Sequence, residues 1–246
     1  MFLTAALLCC SAAPQMIPLD HGIFDQCMDS RARTAQVNVM DRRNVHDLLG
    51  KFGVAVVPAS ARAGLDRLVK ASPGLRGRRV RLVAYNSKLP NAHEADRGVI
   101  VISSAAWSAD KGLADDEVAA MLAHEVAHLE LKDSKRMACE ALAYVSNAEL
   151  TLPSAIRETT REAHSGESDL SLALADRSQA RERAADIRGA ELLAAAGYDP
   201  LAMTRMLRKL APAGAFTSAS HPEIGARIAN VLQALGRQVP QDAAAD

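Results

Sequence analysis

Apolar residues recur along most of this chain at helical spacing, and in two short stretches they switch to the spacing of strands. Residues 14–60 read as irregular to helical. Within them Asp20 to Asn44 is polar and helix-compatible, and Val54-Ala55-Val56-Val57 is a short strand or loop before Pro58. From Ser60 to Ala71, Leu65, Leu68 and Val69 mark one side of an amphipathic helix, stopped by Ser72-Pro73-Gly74. Val80 to Tyr85 alternates basic with apolar residues, the pattern of a half-buried strand. Asn86 to Arg97 reads as loop, and the β-branched run Gly98-Val99-Ile100-Val101-Ile102-Ser103 as the firmest strand.

Helices dominate the rest. Asp115, Asp116 and Glu117 set negative charge at the positive end of a helix predicted over 115–131. Val118, Met121, Leu122 and Leu129 follow at helical spacing, so the helix reads as amphipathic, with an apolar stripe apart from a polar His/Glu face. Met137 to Leu150 continues helical, and 151–170, mixing Pro, Ser, Gly and charge, reads as a mobile loop. A long helix over 171–196 ends at Gly197, a natural C-terminal cap. Asp199-Pro200 opens another through Leu210, Ala211 to Ser220 is a small-residue loop, and Pro222 begins a last helix to Leu235. No internal repeat is visible.

Composition narrows the class. The chain has 246 residues, 49% of them apolar and 24% charged, ordinary for a globular protein with one good core or two small ones. With 29 acids against 29 Lys and Arg, no global field draws it to nucleic acid or anionic lipid. The basic run Arg76-Gly77-Arg78-Arg79-Val80-Arg81 is a solvated turn and strand edge before it is a nucleic-acid patch. Aromatics at 3% leave the helix-forming residues in charge. No apolar run reaches the 18 residues of a membrane helix.

The first residues, Met1-Phe2-Leu3-Thr4-Ala5-Ala6-Leu7-Leu8-Cys9-Cys10, followed by Ser11-Ala12-Ala13, resemble the end of an export signal, without a basic start. The expected destination is therefore the periplasm or another exported compartment, with a lipid anchor at Cys9 or Cys10 as an option. A cytoplasmic protein is the alternative if this segment is not a signal. Cys27 and Cys139 remain: they either pair in an oxidising compartment or are two separate buried thiols.

Chemistry concentrates in Ala123-His124-Glu125-Val126-Ala127-His128. Two imidazoles four residues apart on a helix point the same way, as two neighbouring ligands of a tetrahedral Zn²⁺ require. Glu125, beside the first, is in place to act as a base toward an attacking water. A catalytic zinc takes a third protein ligand from another element. The strongest candidate is Glu182 in Arg181-Glu182-Arg183-Ala184-Ala185-Asp186, although a lone helix glutamate is ordinarily solvated. Asp186, four residues on and on the same face, is suited to orient a ligand histidine. A helical protein carrying the pentapeptide by chance would hold the Glu182 carboxylate beyond roughly 6 Å of both rings, given Zn–ligand bonds of about 2 Å. The histidines His21, His46, His93 and His164 lack ligand spacing; His93, beside Glu94, is the one to check against the cleft. Trp107 reads as core.

His-Glu-x-x-His followed by Glu-x-x-Ala-Asp resembles the gluzincin peptidases of metallopeptidase family forty-eight, which include HtpX, the CAAX prenyl proteases, BepA and LoiP. The similarity runs from about Leu65 to Ile228. Asn91-Ala92 with the run from Gly98 resembles the family's Asn-Ala loop and edge strand, and Asp115 to Glu125 its helix entry. Ala196-Gly197-Tyr198-Asp199-Pro200 and Ser220-His221-Pro222 with Arg227-Ile228 resemble its later segments. Three places depart: Lys132-Asp133-Ser134 where members often carry Arg-His, Ser178-Gln179 for Ser-Arg, and Ala184 for a glutamate.

The resemblance implies an α+β, mainly helical, zincin-like fold, with a small sheet packed on the metal-binding helix and a helical C-terminal half. It implies a zinc peptidase domain, bounded here at 61–236; the chain's own pattern sets before it an export signal or its remnant (1–13) and an N-terminal helical or irregular segment (14–60), and after it a flexible tail (237–246). It implies one Zn²⁺ per chain on His124, His128 and Glu182, with Glu125 as general base and Asp186 as orienter or proton donor. His221 would either stabilise the oxyanion or swing onto zinc as a latch. Unfolded or misassembled polypeptides would be the substrates, adding as a strand to the edge at 98–103, in envelope protein quality control. The alternative function is a proteolytically quiet chaperone or binding module on the same scaffold.

Overall fold

The computed structural model describes residues 18–95, 98–108, 112–163, 169–210 and 223–238. Helices α1 (His21–Asp29) and α2 (Arg31–Phe52) lead into the short strand β1 (Val54–Ala55), then α3 (Ala59–Ala71). Strands β2 (Arg81–Tyr85), β3 (Ala92–Ala95) and β4 (Val99–Ser103) precede α4 (Asp115–Leu131) and α5 (Asp133–Val145). Next come α6 (Leu152–Ala163), α7 (Asp169–Ala195), α8 (Ala202–Leu210) and α9 (Ile224–Ala234). The molecule is α+β and mainly helical, as the sequence reading expects.

The strands form one mixed sheet in the order β1-β2-β4-β3, with β2 parallel to β4 and the other pairs antiparallel. Ile100 and Ile102 of β4 enter the main core with Leu82 and Ala84 of β2, while Val99 and Val101 meet Val45, Leu48 and Leu49 of α2 on the opposite face. A strand buried on both faces reads as an unbroken apolar run. Two expectations fail here. The stretch 98–103 is not the sheet's edge, because β4 lies between β2 and β3. The edge is β3, in the stretch read as loop. Ala92-His93-Glu94-Ala95 has little strand character of its own and becomes a strand by pairing with β4.

Helix α4 runs through the middle of the main core. Every residue from Glu117 to Leu129 is buried, so the expected amphipathic helix is enclosed on all sides, by α3, α7, α8 and β3. Its start is held by the Glu117 carboxylate, which accepts from Ala114 N–H (2.7 Å) and from Lys209 Nζ (2.6 Å). It ends where Lys132 takes the left-handed conformation (φ 59°), which breaks the axis and starts α5 at Asp133.

A second, smaller core joins α1, α2, α5 and α6. There Cys27 and Cys139 form a disulfide, which decides between the two readings of these thiols. A cross-link over so long a loop typically contributes about 2–4 kcal/mol. Beside it the buried Lys135 donates to Met28 O, Ser30 O and Thr34 Oγ1, tying the N-terminal helices to α5. Leu152 to Ala163, within the expected loop, is helix α6, because Leu152 and Ala155 bury themselves against this core. Helix α7 ends as expected: Gly197 has φ 76° and Tyr198 N–H donates to Leu193 O at 2.9 Å. Trp107 packs against the main core. Among the described residues no helix is long and apolar enough to cross a membrane.

Candidate metal centre

One turn apart on α4, His124 and His128 bring their Nε2 atoms to 3.0 Å, with the rings edge to face. Helix α7 crosses α4 here and supplies Glu182, whose carboxylate oxygens lie 3.6 Å from His124 Nε2 and 3.5 Å from His128 Nε2. Gly189 lets the helices approach this closely. A Cβ there would sit 2.6 Å from Met203 Cε and 3.1 Å from the His124 backbone nitrogen. Residues 182, 186 and 189 share one face of α7, so the gap left by the glycine is what carries both acids to the histidines.

Each imidazole is backed by a carboxylate. His128 Nδ1 donates to Asp133 Oδ2 at 2.8 Å. His124 Nδ1 has no aligned hydrogen bond but lies 2.9 Å from Asp186 Oδ1. A carboxylate at Nδ1 keeps the proton on that nitrogen and leaves Nε2 with a lone pair. Two lone pairs and a carboxylate oxygen thus converge on one point, an arrangement that calls for a cation. The three separations, 3.0 to 3.6 Å, bracket the edge of a tetrahedron with bonds of roughly 2.1 Å, about 3.4 Å. The donor set, two imidazoles and a carboxylate, suits zinc. Burial opposes charge on His128, but the Asp133 and Glu182 carboxylates overcome it and hold the ring well above its usual pKa.

Asp186 is 1% exposed, and burial alone would raise its pKa. The paired Arg227 and the His124 ring outweigh that and lower it. Arg227, on α9, donates from Nε and Nη2 to the two Asp186 oxygens, both at 2.7 Å, and its Nη1 lies 3.3 Å from Glu182 Oε2. Neither Asp133 nor Arg227 is assigned a role by the sequence reading. Asp133 belongs to the segment that departs from the family pattern, and five residues after His128 its proximity depends on the left-handed turn at Lys132. Arg227 is visible only as part of a late resemblance.

Glu125 faces the same opening, a cleft of about 380 Å³ whose walls include Asn91 to Glu94 of β3 and Met206, Leu207 and Leu210 of α8. His93 lines the cleft; burial lowers its pKa, opposed by the charge of Glu125. Beside it the Glu94 carboxylate accepts from both Ser134 N–H (3.1 Å) and Ser134 Oγ (2.6 Å), tying the edge strand to the first turn of α5. His21 and His46 lie on the surface, away from the cleft. His164 and His221 fall outside the described residues, as do the expected signal and the loop 211–220.

Burial pushes the Glu94 pKa up to about 7, despite the Ser134 hydrogen bonds. The folded chain therefore binds a proton that the unfolded chain releases near pH 4.5, and the contribution of Glu94 to stability falls as pH rises from there through about 7. Glu94→Gln removes the ionisation. In urea unfolding with a chelator present, the variant's stability relative to wild type should rise between pH 5 and pH 8. A constant difference across that range would place the proton elsewhere.

The model of peptidase family M48 matches residues 61–235. No curated protein matches the chain.

Proposed function

The chain belongs to peptidase family M48, and from that premise we propose a zinc-dependent endopeptidase that cleaves unfolded or flexible polypeptides in the cell envelope. The observation that carries this reading is the convergence of the Nε2 atoms of two imidazoles and one carboxylate on a point at the floor of an open cleft. His124, His128 and Glu182 hold the ion. When bound, zinc polarises the scissile carbonyl and lowers the pKa of water toward neutrality.

The chain's own groups do the rest. Glu125 takes the proton of the attacking water and delivers it to the leaving amine. Asp186 and Asp133 hold the two rings in the tautomer that leaves Nε2 free, and Arg227 keeps Asp186 ionised and in place. The substrate adds as an extended strand along β3, the free edge beside the cleft, through main-chain hydrogen bonds that tolerate many side chains. Met206 and its apolar neighbours on α8 form the facing wall. The disulfide between Cys27 and Cys139 supports an oxidising compartment, hence export. His221, three positions before the start of α9, the helix that bears Arg227, is proposed to act on the oxyanion or as a latch.

The test is metal analysis with degradation of an unfolded protein. The purified chain is expected to hold one zinc ion, to degrade reduced and unfolded casein but not a compact globular protein, and to lose activity to a chelator and regain it with Zn²⁺. Equal degradation with and without metal would refute the reading. His221→Ala should raise activity if the residue is a latch and lower it if it supports the oxyanion.

A further inference from the structure

The sheet has a second free edge, at the side away from the cleft. Strand β1 pairs with β2 only at Ala84 and Tyr85. Pro58 then carries the chain off into α3. Arg81 N–H donates to Gly98 O toward β4 (2.7 Å), whereas Asn86 N–H donates to Gly53 O toward β1 (3.2 Å). By the alternation of a strand, Leu82 turns its main-chain N–H and C=O toward the β1 side, beyond the point where pairing stops.

A groove of about 650 Å³ lies along that edge, between α3 and β2. Leu65, Val69 and Val83 are among the apolar residues lining it. Arg62, Arg78, Arg79 and Arg81 are exposed along it with a single acid, Asp66. Among the described residues none of these four guanidinium groups has an ion-pair partner. Val54 and Val56, next to the same edge, are 70% and 86% exposed. In a chain with no net charge, a concentration of arginines without ion-pair partners beside a free strand edge is a local feature with a local use.

We infer that this groove docks an extended acidic segment of a partner polypeptide, which adds as a strand to β2 at Arg81–Val83 and sets its carboxylates against the arginine rim. The charge selects the partner's chemistry, and the edge selects its conformation. The groove has no aromatic side chain on which a nucleic-acid base would stack, which favours peptide over single-stranded nucleic acid. The site lies across the sheet from the cleft, so it would tether a partner rather than place a bond for cleavage.

Fluorescence anisotropy tests this on the full chain, in a Glu125→Gln background to keep the probe intact. The probe is a labelled peptide of alternating Glu and Val, about ten residues long to cover the edge. It is expected to bind, to weaken with added salt, and to lose roughly ten-fold or more in affinity to Arg79→Glu/Arg81→Glu as charge-assisted contacts turn repulsive. Arg43→Glu, on the exposed side of α2, should leave binding unchanged. N-methylation at alternate residues should weaken it by blocking the main-chain bonds. The inference is overturned if the double variant binds like wild type, if a Lys-Val peptide binds as tightly, or if an oligodeoxynucleotide or the N-methylated peptide matches the parent. Should the charge reversal unfold the protein, Arg79→Gln/Arg81→Gln carries the same comparison.

Discussion

Glu125→Gln is expected to stop peptide hydrolysis while the protein keeps its zinc. Glu125 is 6% exposed, lines the cleft with the three candidate ligands, and is the acid adjacent to His124 on the metal helix. Glutamine preserves its shape and its place in the packing but cannot accept a proton, so the change isolates proton transfer from metal binding. General-base catalysis is worth typically 10²–10⁴ in rate, and a loss in that range is expected in kcat. Zinc content and the denaturation midpoint should stay near wild type, since no ligand is removed. Turnover that survives the substitution would exclude Glu125 as the base. A zinc-loaded wild type with no turnover, indistinguishable from Glu125→Gln, would instead favour a quiet binding module on this scaffold.

Arg227→Ala is expected to destabilise the fold and loosen the metal site together. The guanidinium is 3% exposed, forks onto both oxygens of the buried Asp186, and also faces Glu182. Removing it leaves Asp186 with only the His124 ring to offset its charge. Breaking a buried pair by deleting one partner costs about 3–5 kcal/mol, mostly the penalty of the charge left behind. Through Asp186 the loss reaches His124, and changes to such outer partners lower metal affinity by roughly 10–100-fold. Chemical denaturation with chelator present measures the first effect, and competition for zinc against a coloured chelator the second. Arg227→Lys restores charge without the planar fork, so it should recover part of the stability and less of the zinc affinity. A variant that is destabilised yet binds zinc as tightly as wild type would confine Arg227 to a structural role.

These outcomes bear on different layers of the same arrangement. Glu125 concerns the reacting proton, and Arg227 concerns what holds the ligands. The arginine groove is separable from both, because its strand edge lies on the far side of β2 and β4 from β3.

Features carried by near neighbours in sequence were legible without a structure. The pairing of His124 with His128, and of Glu182 with Asp186, follows from helical periodicity, which places residues four apart on one face whatever the rest of the fold does. The opening acids of α4 and the glycine cap of α7 are signals of the same local kind. Whatever depended on a distant partner was not legible. Ala92 to Ala95 is a strand because β4 is there to pair with it, and β4 is interior for the same reason. Leu152 to Ala163 is a helix because a second core receives it. The bond between Cys27 and Cys139, the crossing of α7 over α4 at Gly189, and the reach of Asp133 and Arg227 to the site join residues whose proximity no spacing encodes. The sequence by itself determined which side chains could bind a metal and which helices present them. Only the tertiary structure decided that they meet, how each ring is held, and which strand edges stay open, because backbone periodicity is local whereas packing and strand pairing are settled between segments far apart in the chain.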